Sequence, residues 1–303
     1  MRDAIRGITT TIIRSGVVGP GVFGPGVVRS GMVRPGVVGP GVLVLSALLH
    51  AAPAQAQALQ DLAIEQQGLN ERPAPGAWSV SLGAGLAAGP DYPGARDDRV
   101  RPVPLVEIGY GDRVVAGPFG LAVAALDWNG LRLGPVLGIE GGRRQSADPH
   151  LDGLGDISTS LTAGAFISYR LGLFDLYGTA RQAVTNSGSG LAGLVQFNIR
   201  QPLIPRTLYL IAGPDVEFGN AEHEQTWFGV TPTQSLQSGL PVYTPGSGIN
   251  TVGLHATLTY RASEHVLWRV FTNFKDLTGQ AGESPIVERR TQFVAGFGVA
   301  YHF

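Results

Sequence analysis

The 303-residue sequence contains no cysteine, which removes disulfides, thiolate metal ligands, a cysteine nucleophile and the lipidated cysteine that a lipoprotein carries after its signal. Charge is scarce, at 15% Asp, Glu, Lys and Arg, and no later segment approaches the ~20 uninterrupted apolar residues of a membrane-crossing helix. Segments with a helical apolar stripe, which could cover the face of a sheet, are missing too. Glycine is abundant instead, at 44 residues with 21 prolines, a content that suits tightly turned sheets better than an average soluble enzyme.

The N-terminus reads as a targeting segment. Val42 to Leu49 form an apolar run too short to span a bilayer, and Ala52-Pro53-Ala54-Gln55-Ala56 offers signal-peptidase sites after Ala54 or, preferred here, Ala56. Upstream, Pro-Gly-Val recurs at Pro20, Pro25, Pro35 and Pro40 without the strict glycine period of collagen; translation from Met32 would leave a compact signal with Arg34 as its positive end. Residues 1–56 are therefore taken as leader and signal peptide. Their five arginines and Asp3 carry a net +4, so the remainder stands at −5 against −1 for the whole chain, which argues against a nucleic-acid partner. Residues 57–76, with Gln66, Gln67, Asn70, Pro73 and Pro75, read as a periplasmic lead-in.

From Trp78 onward strand-length segments alternate with turn chemistry, at about 78–87, 99–110, 113–117, 120–126, 131–141, 159–171, 174–184, 190–200, 206–218, 250–261, 266–275 and 291–303. In 250–261, for example, Val252, Leu254, Ala256, Leu258 and Tyr260 oppose His255, Thr257, Thr259 and Arg261. With nothing to cover the apolar faces, they must look at lipid. The expected fold is an all-β antiparallel transmembrane barrel over 77–303 in the outer membrane, surrounded by lipid and lipopolysaccharide. Twelve strands require 113–126 to be two short strands broken at Gly117-Pro118; ten is the alternative, because those two fall short of the ~9–11 residues that span. Counted back from Phe303, short links at 127–130, 171–173 and 201–205 fall on the periplasmic side, and long links at 142–158, 219–249 and 276–290 fall outside.

The closing strand places Phe297, Val299, Tyr301 and Phe303 on one face, and the chain given stops at that aromatic. It resembles the terminal strand read by the outer-membrane assembly machinery of Gram-negative bacteria. Trp78, Trp128, Tyr169 and Trp268, with Tyr301 and Phe303, read as girdle residues.

No residue is assigned a catalytic, cofactor or metal role. The five histidines after the leader are scattered, and Glu222-His223-Glu224 reads as a solvated loop because neighbours on an extended chain diverge. A barrel hydrolase would draw on His150 with Asp148 and Asp152, or His223 with Ser235, yet no G-x-S-x-G elbow accompanies them. Arg132, Glu140, Arg170, Asp175, Arg181, Arg200, Asp215, Glu217, Arg269 and Lys275 are expected inside, and opposite charges in a confined lumen brace one another.

The stretch Trp227-Phe228-Gly229-Val230-Thr231-Pro232, followed by Ser238-Gly239-Leu240-Pro241-Val242-Tyr243, resembles the long outer loop of the MipA/OmpV family, the MltA-interacting proteins. Tyr92-Pro93-Gly94, Pro102 to Leu105 and Gly142-Arg143 match as well, so the likeness covers roughly 76–303. It implies an outer-membrane barrel that is not an enzyme, and a scaffold joining a lytic transglycosylase to a murein synthase. A passive pore and an outer-membrane hydrolase stand as alternatives.

Overall fold

The computed structural model describes residues 76–303 apart from Asp112, Phe119 and 186–188; the leader and residues 57–75 of the lead-in lie outside the described residues. The strands run up and down in chain order: β1 (Trp78–Pro90), β2 (Asp98–Tyr110), β3 (Val114–Gly117), β4 (Gly120–Val123, resumed at Leu126–Trp128), β5 (Leu131–Glu140), β6 (Ser160–Leu171), β7 (Phe174–Ala183), β8 (Leu191–Ile204), β9 (Leu208–Gly219), β10 (Gly248–Arg261), β11 (Val266–Leu277) and β12 (Thr291–His302). The two pieces of β4 lie end to end against β5, and β1 pairs with β12, so twelve antiparallel strands close into a barrel. Closure gives the backbone groups of a sheet their partners in hydrocarbon, where no water can serve.

Alternation sets the faces. Leu82 pairs with Tyr301 and Leu86 with Phe297, all exposed, whereas Ser81, Ala87 and Ala300 point inward and are buried. Trp78, Tyr110, Trp128, Tyr169, Tyr260, Trp268, Tyr301 and Phe303 form an exposed aromatic belt at one end, with the Trp78 and Tyr110 rings 4.9 Å apart. The turns at this end are short, and the final strand is tied there through the Phe303 N–H, which donates to Val80 O at 2.9 Å. The long connections 141–159, 220–247 and 278–290 all lie at the opposite end, the outer one in barrels of this kind.

The interior departs from the expectation of polar inward faces. Ala122, Ala124, Val136, Phe166, Tyr177 and Leu194 form one inward apolar cluster, and Ala87, Val103, Phe271 and Val294 form another. Packing against lumen neighbours rather than water is what admits them. The outer loops also contain helices that periodicity did not reveal: α1 (Ala221–Phe228), α2 (Pro232–Ser238) and the single turn α3 (Gly279–Gly282).

One stretch of wall is thin. Hairpin β3–β4 covers only Ile108 to Tyr110 of β2, so among the described residues Asp98 to Glu107 have no strand on that side. Gly111 N donates to Ala77 O, which fixes odd positions of the regular β2 ladder toward β1 and even positions toward the uncovered side. Pro102 and Pro104 are even. Each removes an N–H that hydrocarbon would leave unsatisfied, which is how proline is tolerated on an edge. The same logic holds at Pro135 of β5: Arg170 N donates to Gly130 O, so Pro135 faces β4, where the register slips by one residue between the Ala122–Val136 and Leu126–Leu133 pairs. Replacing Pro102 and Pro104 together by valine restores two donors to the edge. The expected outcome is a barrel that keeps its heat-modifiable gel mobility but crosslinks into dimers in detergent; a variant as monomeric as the parent would show that the prolines do not guard it.

Candidate functional site

The lumen carries a continuous polar chain. Asp175 of β7 receives Arg200 at 3.4 Å and Arg170 at 3.6 Å, and the Asn198 amide N–H donates to it at 3.4 Å. Asn198 reaches His255 Nε2 at 2.7 Å, and His255 Nδ1 donates to Asp215 at 3.0 Å. Gly253 makes room for this, since a Cβ there would sit 2.6 Å from an Asp215 carboxylate oxygen. Lys275 pairs with Glu217, Arg132 pairs with Asp127 at 3.3 Å, and Arg269 of β11 reaches Glu107 of β2 at 3.5 Å along the inner wall, over β12 and β1. The inward charges therefore act as braces, each partner offsetting the desolvation of the other.

Above this, the long loops knot into a cap. Asn220 caps α1 by accepting from His223 N at 3.0 Å and also holds Leu191 N at 2.9 Å, anchoring the helix to β8. α2 begins with a reciprocal capping box between Thr231 and Gln234, has proline in its first turn, and ends where Gly239 takes a φ of 77° that a side chain would strain. Trp227 and Phe228, each 3% exposed, pack with Leu277 and Ala281. Tyr92, Leu151, Leu154, Val230 and Ile286 form a second cluster drawn from four loops, against which Leu240 and Tyr243 pack. Hydrogen bonds cross the same seams: Tyr243 Oη donates to Gln280 O at 2.8 Å, Ser284 Oγ to Phe228 O at 2.6 Å, and Gln234 Nε2 to Leu154 O at 2.6 Å. Of the loop residues singled out in the sequence, Trp227, Phe228, Gly229, Pro232, Ser238, Gly239 and Tyr243 all build this cap, while Pro241 remains on its surface.

The rival hydrolase groupings do not assemble. His150 Nε2 donates to Pro285 O at 3.0 Å, and His223 Nδ1 donates to Ser189 O at 3.0 Å, with Glu140 at 3.6 Å rather than Ser235. The solvated loop expected at Glu222-His223-Glu224 is instead the first turn of α1, with His223 and Glu224 buried. The signal that could have revealed this was Asn220 followed by two acids in a first turn. His255, one of five scattered histidines in sequence, is brought by register onto Asp215 and Asn198, a meeting that sequence spacing cannot show.

A closed antiparallel barrel with an outward apolar band, an aromatic belt beside its short turns and long loops at the other end is an outer-membrane β-barrel protein. The family model for the MltA-interacting protein MipA matches residues 82–303, and the chain belongs to that family. No curated protein matches the sequence. Among solved structures, it is similar to the translocator domain of the autotransporter NalP from Neisseria meningitidis, at 11% identity over 87% of this chain and 98% of that one, with a TM-score of 0.43. A FadL homologue from Pseudomonas aeruginosa matches at 10% identity over 74% and 90%, TM-score 0.39, and OprD from the same organism at 9% over 77% and 96%, TM-score 0.31.

Two buried groups in α1 contribute to the pH response of the cap, with the Glu140 carboxyl 3.6 Å from His223. Burial pulls His223 down from 6.5 to about 4, against the bond to Ser189. Burial likewise pushes Glu224 up from 4.5 to about 7, against the bond it accepts from Asn250 at 2.9 Å. An opened cap takes up the His223 proton more readily, so that residue weakens the closed cap as pH falls from 6.5 toward 4. Glu224 does the reverse, since its proton is held better when closed and its contribution fades as pH rises from 4.5 toward 7. Hydrogen-exchange protection of the α1 amides, in a Glu140→Gln background that removes the neighbouring carboxyl, separates them. With Glu224→Gln, protection should rise with pH across the His223 window; with His223→Gln, it should fall with pH across the Glu224 window. Flat profiles in both would mean that neither side chain stays buried in the closed cap.

Proposed function

We propose that this protein is a non-enzymatic, non-conducting adaptor in the outer membrane that docks a lytic transglycosylase and a murein synthase on its periplasmic side. The observation that carries the reading is membership of a family described by its interaction with MltA, taken here as the lytic transglycosylase. The interlocked cap favours it over a pore, because the loops over the outer mouth share buried apolar clusters and would have to part together to open a path. The loop histidines, each engaged in a structural hydrogen bond, favour it over a hydrolase.

The surface available to a periplasmic partner is small: the lead-in 57–76 and the short turns at 127–130, 171–173 and 201–205. Such a patch lies below the ~1,600 Å² of a standard interface. Confinement to one membrane surface raises the effective concentration and compensates a modest affinity. Purified barrel is expected to bind a lytic transglycosylase of the MltA kind, to bind it more weakly when residues 57–76 are deleted, and to pass little current in planar bilayers. Steady, salt-dependent conductance without partner binding would move the assignment to a pore. Phe297, Val299, Tyr301 and Phe303 are proposed as the assembly signal; deleting Phe303 should lower the outer-membrane level several-fold while leaving the melting of assembled barrel nearly unchanged. Undiminished surface levels would remove that role.

A further inference from the structure

Arg143 lies just beyond the outer end of β5 and is 2% exposed. Its backbone is pinned by an antiparallel bridge to Ile157, with bonds of 2.9 and 2.7 Å, so the side chain cannot simply swing out. The guanidinium donates from Nη1 to Trp227 O at 2.9 Å, while Nε has no hydrogen-bond partner and no carboxylate among the described residues lies within ion-pair distance. Arg132, Arg170, Arg200, Arg269 and Lys275, by contrast, each have an acid beside them. A lone buried charge is among the most costly arrangements a fold can hold, and proteins retain one chiefly where something else supplies the counter-charge. Burial draws this guanidinium down to about 10, which leaves it protonated at neutral pH.

Arg143 also lines a cavity of about 510 Å³ between α1, α2 and the 142–158 loop. That volume lies within the range of small-molecule sites. Leu154 and Ile157 supply apolar wall, Ser158, Ser189, Thr226 and Gln225 neutral hydrogen-bonding groups, and Gln225 Oε1 is buried and lacks a donor. Asp156 stands on the same wall. The planar fork of arginine matches a carboxylate in two-point fashion, hydroxyls and amides match ligand hydroxyls, and the nearby Asp156 charge disfavours a doubly charged ligand such as phosphate.

We propose that this outer cavity is a binding site for a small, singly charged, polyhydroxylated carboxylate of the sugar-acid class, held through its carboxylate by Arg143. The site opens among the outer loops and is independent of the periplasmic adaptor role, so the two stand or fall separately.

The test uses the full chain in detergent micelles, with D-glucuronate, glucose and inorganic phosphate as calorimetric titrants. Glucuronate should bind saturably, with glucose and phosphate at least tenfold weaker. Arg143→Met should abolish glucuronate binding while keeping or raising the melting temperature without ligand, because it removes an uncompensated buried charge. Loss of melting temperature with binding retained would make Arg143 a purely structural residue and overturn the proposal. Should the variant lose both, Gln225→Glu decides: a negative charge placed on the wall should reduce glucuronate affinity tenfold or more. Unchanged affinity there, or glucose and phosphate binding as tightly as glucuronate to the parent protein, would sink the idea.

Discussion

A peptide N–H or C=O facing hydrocarbon without a partner costs several kcal/mol, and a barrel that failed to close would expose those of every residue paired along its seam. Closure through β1 and β12 is the condition on which every other feature depends. It makes the strands antiparallel and consecutive, it divides the chain by parity into lipid-facing and lumen-facing residues, and it sends the connections alternately to two ends of different character. Where the ladder is interrupted, at the uncovered side of β2 and the slip in β4, Pro102, Pro104 and Pro135 reduce the number of N–H groups left to satisfy. The exceptions obey the same rule.

That dependence explains why much of the fold could be read from the sequence. Lipid enforces alternation without exception on the outward face, so Val252, Leu254 and Trp268 announce their strands, and Gly117-Pro118 announces the turn between two strands too short to recognise by length. The inward face was less legible. Phe166, Tyr177 and Phe271 share parity with charged residues, and the sequence does not say whether a lumen position meets water or another side chain. The polar chain from Arg170 to Asp215 joins strands that are far apart in sequence, so its members were visible as charges but not as partners. The helices of the cap escaped for another reason: seven or eight residues are too few to establish a period, although the Thr231-Pro232-Thr233-Gln234 capping box and Gly239 were on view.

Cap and lumen are held by different physics. The cap coheres through apolar clusters and loop-to-loop bonds drawn from four connections, so no single loop can leave without exposing buried area on the others. The lumen coheres through ion pairs whose members are each costly to strand, so it resists partial opening rather than opening by degrees.

The bare side of β2 gives the barrel a mechanical asymmetry. At the periplasmic end the hydrogen-bonded hoop is complete and can carry tension around the whole circumference. Toward the outer end, from Glu107 up to Asp98, the hoop formed by the described residues is cut, and the cylinder there behaves as a slit tube. Lateral pressure in the surrounding leaflet is not shared evenly by such a tube; it concentrates at the lips of the slit. The arginine-to-aspartate clasp that ties Arg99 and Arg101 of β2 to Asp91, just beyond β1, lies within one lip and stiffens it without bridging the slit.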